Sequence, residues 1–184
     1  MLQILGRTPD HGFDEPLGLL SDCHRRIERF LDLLVRIAHD YAHASLPPDA
    51  AGAVCKARQY FAHAAPKHTA DEEESLFPRM KAAARANGKT CEAIERLEGD
   101  HDRAAPLHKR IDFLLDEWGR AGSLQSERST ELHSLLEALR ELYSAHIHVE
   151  DTEVFPLAGT LLTAKELAAV GSEMRARRGL APPE

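Results

Sequence analysis

Apolar residues recur along this chain at steps of three and four positions, in four long stretches that turn-forming residues separate. The first stretch runs from Asp14 to about His43, with Asp14 as the predicted N-cap and Pro16 tolerated in the first turn. The prolines at 47 and 48 interrupt the pattern, which then resumes and ends at the C-cap signal Asn87-Gly88. These features predict two long amphipathic helices.

Two further stretches follow, one from Ile94 to the glycines at 119 and 122 and one from Leu132 to about Gly159. The motif Thr163-x-x-Glu166 is typical of a capping box and predicts a short fifth helix over about 163–178. We therefore expect an all-α fold, an up-down-up-down antiparallel four-helix bundle with a short C-terminal fifth helix. Residues 1–184 are expected to form a single domain with the core bundle at about 11–158.

Four prolines fall inside the predicted helices. Each of them removes a backbone donor, so they are expected to kink or locally break these helices. They are Pro66, Pro78, Pro106 and Pro156.

The chain also repeats itself. His68-x3-Glu72 before a Phe-Pro pair returns as His146-x3-Glu150 before a second Phe-Pro pair, shifted by 78 positions. His24 returns as His101 with a shift of 77. Each half therefore reads as one helix with a histidine followed by one helix with a His-x3-Glu pair.

Helix register brings these residues together. Side chains level with each other on antiparallel helices are equidistant from the connecting turn. The midpoints of 24 and 68, of 72 and 101, and of 101 and 146 all fall on predicted turns. Six inward-facing residues are thus expected in one layer of the bundle: His24, His68, Glu72, His101, His146 and Glu150.

Buried carboxylates and imidazoles need a partner, and a cation supplies one. A single histidine of this kind is more often an ordinary core or surface side chain, so the prediction depends on the whole set. The set would give each of two metal ions two imidazoles, with both carboxylates free to bridge and positions left open. His108, Glu73 and Asp151 are candidates for residues just behind these ligands.

Net charge, cysteine spacing and the length of apolar runs argue against several classes of function. The formal charge of −7 without a basic stripe argues against nucleic acid and anionic membrane as partners. Cys23, Cys55 and Cys91 lie far apart and support neither a disulfide framework nor a thiolate zinc site. No segment reaches the roughly 18 apolar residues of a membrane span, and residues 1–13 do not read as an export signal. A cytoplasmic protein is expected.

At these residues the sequence resembles the hemerythrin-like family, also called the HHE cation-binding domain. The resemblance covers about residues 11–158 and rests on His24, on His101, and on the pairs at 68/72 and 146/150, which precede Leu-Phe-Pro and Val-Phe-Pro. It implies a four-helix bundle that carries a non-haem di-iron centre with an oxo or hydroxo bridge and two bridging carboxylates.

Two positions depart from the invertebrate oxygen carriers of that family. Those proteins have a further histidine four residues after the one on the third helix, where this chain has Ala105, and an aspartate where it has Glu150. The pattern is closer to the bacterial members with four histidines and two glutamates.

Three functions fit this reading. The first is a di-iron protein that binds oxygen, nitric oxide or peroxide and reports, stores or scavenges it, with a separate protein partner for signalling or electron transfer. The second is a di-iron enzyme, either peroxidase-like or reducing nitric oxide, or an iron donor for cluster repair. A ferritin-like role fits less well, because that pattern needs more carboxylates in the layer. Nitrogen and oxygen donors also suit manganese or zinc.

Overall fold

The computed structural model describes residues 10–87 and 92–181, and within these ranges all regular structure is helical. The helices form four arms and a C-terminal addition. Their bounds are α1 Pro16–Asp40, α2 Pro48–His63, α3 Ala65–Ala70, π1 Asp71–Leu76, α4 Phe77–Ala86, α5 Glu92–Ala121, α6 Ser126–Val149, π2 Glu150–Val154, α7 Phe155–Leu161 and α8 Ala164–Arg177.

The arms are arranged as an antiparallel bundle, as the sequence predicts. The first arm is α1, the second runs from α2 to α4, the third is α5, and the fourth runs from α6 to α7. α6 packs against both α1 and α5, while α2 contacts α1 and α5 and α4 meets α7. No described helix is both long and apolar enough to cross a bilayer.

Two single-turn π segments interrupt the second and fourth arms at equivalent places. In π1 the Phe77 N–H donates to the Glu72 carbonyl, and in π2 the Phe155 N–H donates to the Glu150 carbonyl. Both bonds span five residues instead of four, which is the π-helical pattern. The prolines that follow lie in the first turns of α4 and α7, where their missing N–H costs little. The wide turns therefore place both glutamates at local irregularities of the helix.

Other helix boundaries differ in part from the sequence prediction. Pro66 lies at the break between α2 and α3, but α5 continues through Pro106 without interruption. The prediction of Asp14 as N-cap is wrong: Glu15 precedes α1, and its side chain makes no capping hydrogen bond. The Thr163 capping box is confirmed, with Thr163 N–H donating to Glu166 Oε2 at 2.8 Å. Gly88 lies outside the described residues.

Two apolar clusters fill the bundle, one on each side of the histidine layer. One lies toward the α1–α2 and α5–α6 turns, and its largest buried side chain is Trp118, whose indole N–H donates to the Ala44 carbonyl. The other includes Phe77 and Phe155 and extends to Met174 of α8. The polar layer therefore lies between two apolar regions.

Ion pairs connect helix α8 to the segment that carries Glu72. The Asp71 carboxylate is fully buried. Arg178 donates to its Oδ2 at 2.7 Å, and Arg177 donates to its Oδ1 and to Ser75 Oγ. Because an unpaired buried carboxylate is costly, these two arginines hold α8 against π1.

We predict that replacing both Arg177 and Arg178 by methionine lowers the free energy of unfolding by about 3 kcal/mol, because Asp71 then loses its buried partners. Urea denaturation followed by circular dichroism would measure the change. Lys165→Met removes an exposed positive charge from the same helix and serves as the control. Equal stability of the two variants would show that the buried ion pair does not hold α8.

Candidate metal centre

The structure brings all six predicted residues into one layer. His24 comes from α1, His101 from α5 and His146 from α6. His68 lies in α3, Glu72 in π1, and Glu150 opens π2. Both glutamates are fully buried, whereas the His101 side chain keeps 9% of its surface exposed.

Glu72 lies between two histidine pairs. Its Oε1 is 3.2 Å from His68 Nε2 and 3.6 Å from His24 Nε2. Its Oε2 is 3.5 Å from His101 Nε2. Donor atoms of His24, His68 and Glu72 all lie within 4.8 Å of one another, and the same holds for Glu72, His101 and His146. Each group could hold a metal ion, and Glu72 belongs to both.

Glu150 completes this arrangement from the opposite arm. Its Oε2 is 3.0 Å from His24 Nε2 and 3.1 Å from His146 Nε2. The carboxylate therefore faces one histidine of each group. Two imidazoles and two shared carboxylates are available at each of the two positions.

The polar atoms of this layer lack ordinary partners. Nε2 of His24 and His146 and all four carboxylate oxygens of Glu72 and Glu150 are buried and make no hydrogen bond among the described residues. Leaving such atoms unpaired costs about 1–3 kcal/mol each. A cation neutralises the carboxylates and accepts the nitrogen lone pairs at the same time, so these residues fit a metal centre.

Behind the layer, two carboxylates orient two of the rings. Asp151 Oδ1 is 3.0 Å from His24 Nδ1, and Glu73 Oε1 is 2.8 Å from His101 Nδ1. Ser21 Oγ donates to Asp151 Oδ1 at 2.7 Å and so holds that carboxylate in place. A proton on each Nδ1 leaves the Nε2 lone pair directed into the centre.

Sequence reasoning missed two neighbours of the site. Asp100 Oδ2 lies 3.5 Å from His146 Nδ1, and the Phe155 ring stacks on His24 at 5.3 Å between centroids. The repeat could not reveal Asp100, because its counterpart in the first half is Cys23. The sequence marks Phe155 only as part of a repeated Phe-Pro pair.

His108 has no direct contact with the six residues. Its Nε2 is 3.0 Å from the Tyr143 hydroxyl, and the Tyr143 ring lies 6.2 Å from that of His146. Tyr143 therefore lies between His108 and His146.

The electrostatics of the layer follow from burial and mutual repulsion. Burial and the nearby Glu150 carboxylate raise the pKa of Glu72 to about 8. Burial also opposes ionisation of Glu150, but His146 and His24 outweigh it and lower the pKa of Glu150. Burial, with the charge of His24, lowers the pKa of His68. A cation that binds here would displace protons shared among these groups, so acid should weaken binding.

The helical bundle, with four histidines and two shared carboxylates in one layer, places the chain among helical cation-binding proteins. Residues 15–158 match the family described as the hemerythrin HHE cation binding domain, and the chain belongs to that family. An uncharacterized protein of Haemophilus influenzae (strain ATCC 51907 / DSM 11121 / KW20 / Rd) is 29% identical over 183 residues, which cover 96% of this chain and 98% of that protein.

We predict that His68→Ala and His146→Ala each lose most of the bound metal, because each removes one of the two imidazoles of a group. Elemental analysis of protein purified at neutral pH would measure the metal content per chain. His148→Ala is the matched control, since His148 is exposed and lies outside both groups. Equal metal content in the three variants would exclude these ligands.

A pH effect is expected at His108. Burial lowers its pKa to about 4, whereas in the unfolded chain it takes up a proton near pH 6.5. Unfolding therefore binds a proton between these values, and the stability contributed by the neutral ring is lost as pH falls from about 6.5 to 4. His108→Gln should flatten this part of the stability curve in urea titrations. An unchanged slope would contradict the prediction.

Proposed function

We propose that the protein holds two iron ions in this layer and binds a small molecule, namely oxygen, nitric oxide or peroxide. The observation that carries the proposal is the sharing of both carboxylates. Glu72 presents one oxygen to each histidine pair, and Glu150 Oε2 lies between His24 and His146. At most four protein donors then reach each ion, which leaves positions for an external ligand.

Iron is favoured over the other candidates by the donors and by their arrangement. Imidazoles, which make up four of the six donors, suit iron and zinc better than manganese, and a closed tetrahedral zinc site does not need two shared carboxylates. No cysteine belongs to either ligand group within the described residues. Bound ferrous iron would supply electron transfer to a small molecule at an open position.

The chain's own residues prepare this chemistry. Asp151 and Glu73 fix the rings of His24 and His101, so the nitrogen lone pairs are aligned before a cation arrives. The two apolar clusters exclude water from the layer and strengthen its electrostatic interactions.

The residue at position 105 supports a subtype with four histidines and two glutamates. Ala105 lies one helical turn after His101, offers no donor atom and is exposed. The ion at His101 and His146 therefore lacks a third imidazole, and its side of the layer keeps exposed surface. We extend the proposal to a cytoplasmic location and to a separate protein partner that receives the signal or delivers electrons.

The decisive experiment loads the protein with ferrous iron, determines the metal content and records visible spectra before and after oxygen, nitric oxide and peroxide are added. We expect about two irons per chain and new charge-transfer bands with at least one ligand. Glu72→Gln should lose these bands because it removes the shared carboxylate, whereas His148→Ala should keep them.

The outcomes separate the functions. Charge-transfer bands that reach their full intensity with one ligand molecule per centre and then persist support a binding protein. Continuous consumption of peroxide or nitric oxide with an added reductant supports an enzyme. Protein that retains only zinc or manganese when iron is supplied in excess would refute the di-iron proposal.

A further inference from the structure

A separate pocket of about 380 Å³ lies beside the first and second arms, which carry His24 and His68. Its wall combines α1, the junction of α2 and α3, the segment that precedes α1, and Arg178 at the end of α8. Cys23 and Lys67, which line it, are the immediate sequence neighbours of His24 and His68. The pocket is thus close to the metal layer but contains none of its six residues.

The charge of this pocket is opposite to that of the whole chain. The chain carries a formal charge of −7, yet no aspartate or glutamate of residues 10–87 or 92–181 lines the pocket. Arg26, Lys67 and Arg178 line it, together with His11 and His63. A concave site with one sign of charge concentrates ions of the opposite sign.

Two of these basic residues have no acidic partner in the part of the chain that the structure describes. Arg178 donates to the Asp71 carboxylate, and His11 contacts Asp22 Oδ2 at 3.2 Å. In contrast, neither Arg26 nor Lys67 forms an ion pair with any residue in the described ranges, although both side chains are partly buried. Two partly desolvated positive charges therefore remain available to a ligand.

The rest of the lining is largely apolar. Phe13, Leu19 and Tyr60 supply apolar atoms to it, and the Tyr60 hydroxyl donates to the Cys23 carbonyl at 3.4 Å. Apolar walls with a few polar groups are typical of small-molecule sites.

We propose that this pocket binds a small organic anion, with a carboxylate held by Arg26 and Lys67 and an apolar body packed on Phe13, Leu19 and Tyr60. Arginine and lysine recognise a carboxylate through charge-assisted hydrogen bonds. The proposal does not depend on iron, because no metal ligand lines the pocket.

Benzoate is a suitable probe, since it combines one carboxylate with one ring, and benzamide is its neutral counterpart. Cys23 lies within the pocket, and Cys55 is exposed on α2 outside it. In the full-length, metal-loaded protein, benzoate should slow alkylation of Cys23 by iodoacetamide in a saturable manner and leave Cys55 unaffected. Peptide mass spectrometry would quantify both thiols.

Benzamide should bind about tenfold more weakly than benzoate. The Arg26→Met/Lys67→Met variant should bind benzoate about tenfold more weakly than the unsubstituted protein does. Each change removes a charge-assisted contact. Lys56→Met removes an exposed charge from α2 outside the pocket and should leave the benzoate affinity unchanged. Calorimetric titration would measure these affinities.

Three results would overturn the proposal. They are the absence of benzoate protection at Cys23, equal affinity for benzamide, and an unchanged affinity in the double variant. An unchanged affinity in the double variant is also expected if benzoate binds at the metal ions. This variant therefore distinguishes binding in the pocket from binding at the metal centre.

Discussion

The constraint on which this structure depends is the burial of two carboxylates and four imidazoles between two apolar clusters. Glu72 and Glu150 have no exposed surface, and each raises the cost of ionising the other in a region of low dielectric. Protons shared with His24 and His146 can relieve only part of this repulsion. A bound cation would also lower this cost, so the layer would link metal binding to folding, as in other buried metal sites.

The backbone adapts to this layer in the same way in both halves. Each glutamate carbonyl accepts from a phenylalanine N–H five residues later, and each wide turn is followed at once by a proline. The two carboxylates that lie behind the layer each contact a histidine of the other half of the chain. Glu73 of the first half meets His101 of the second, and Asp151 of the second meets His24 of the first. The centre therefore joins two similar hairpins instead of lying within either one.

Helix periodicity predicted the four arms and their order, because long amphipathic stretches with clear turns have few other ways to pack. The repeat predicted the positions of the six layer residues, and it also pointed to Glu73 and Asp151 as equivalent residues. Local patterns did not reveal the π segments, since a proline in a helix is also compatible with a kink or, as at Pro106, with an uninterrupted helix. The pairing of Asp71 with two arginines 106 and 107 residues away depends on how α8 folds back, and no sequence period encodes that distance.

The two ends of the layer are not equally enclosed. On one side, His24 stacks on Phe155, and the segment after His68 is covered by α8 through Asp71. On the other side, His101 retains some exposed surface, and Ala105 beside it is short and exposed. The first side is closed by packed aromatic and ion-paired groups, whereas the second side keeps exposed surface at His101. The two groups of residues that could hold a cation are therefore enclosed to different degrees, although their protein donors are nearly the same.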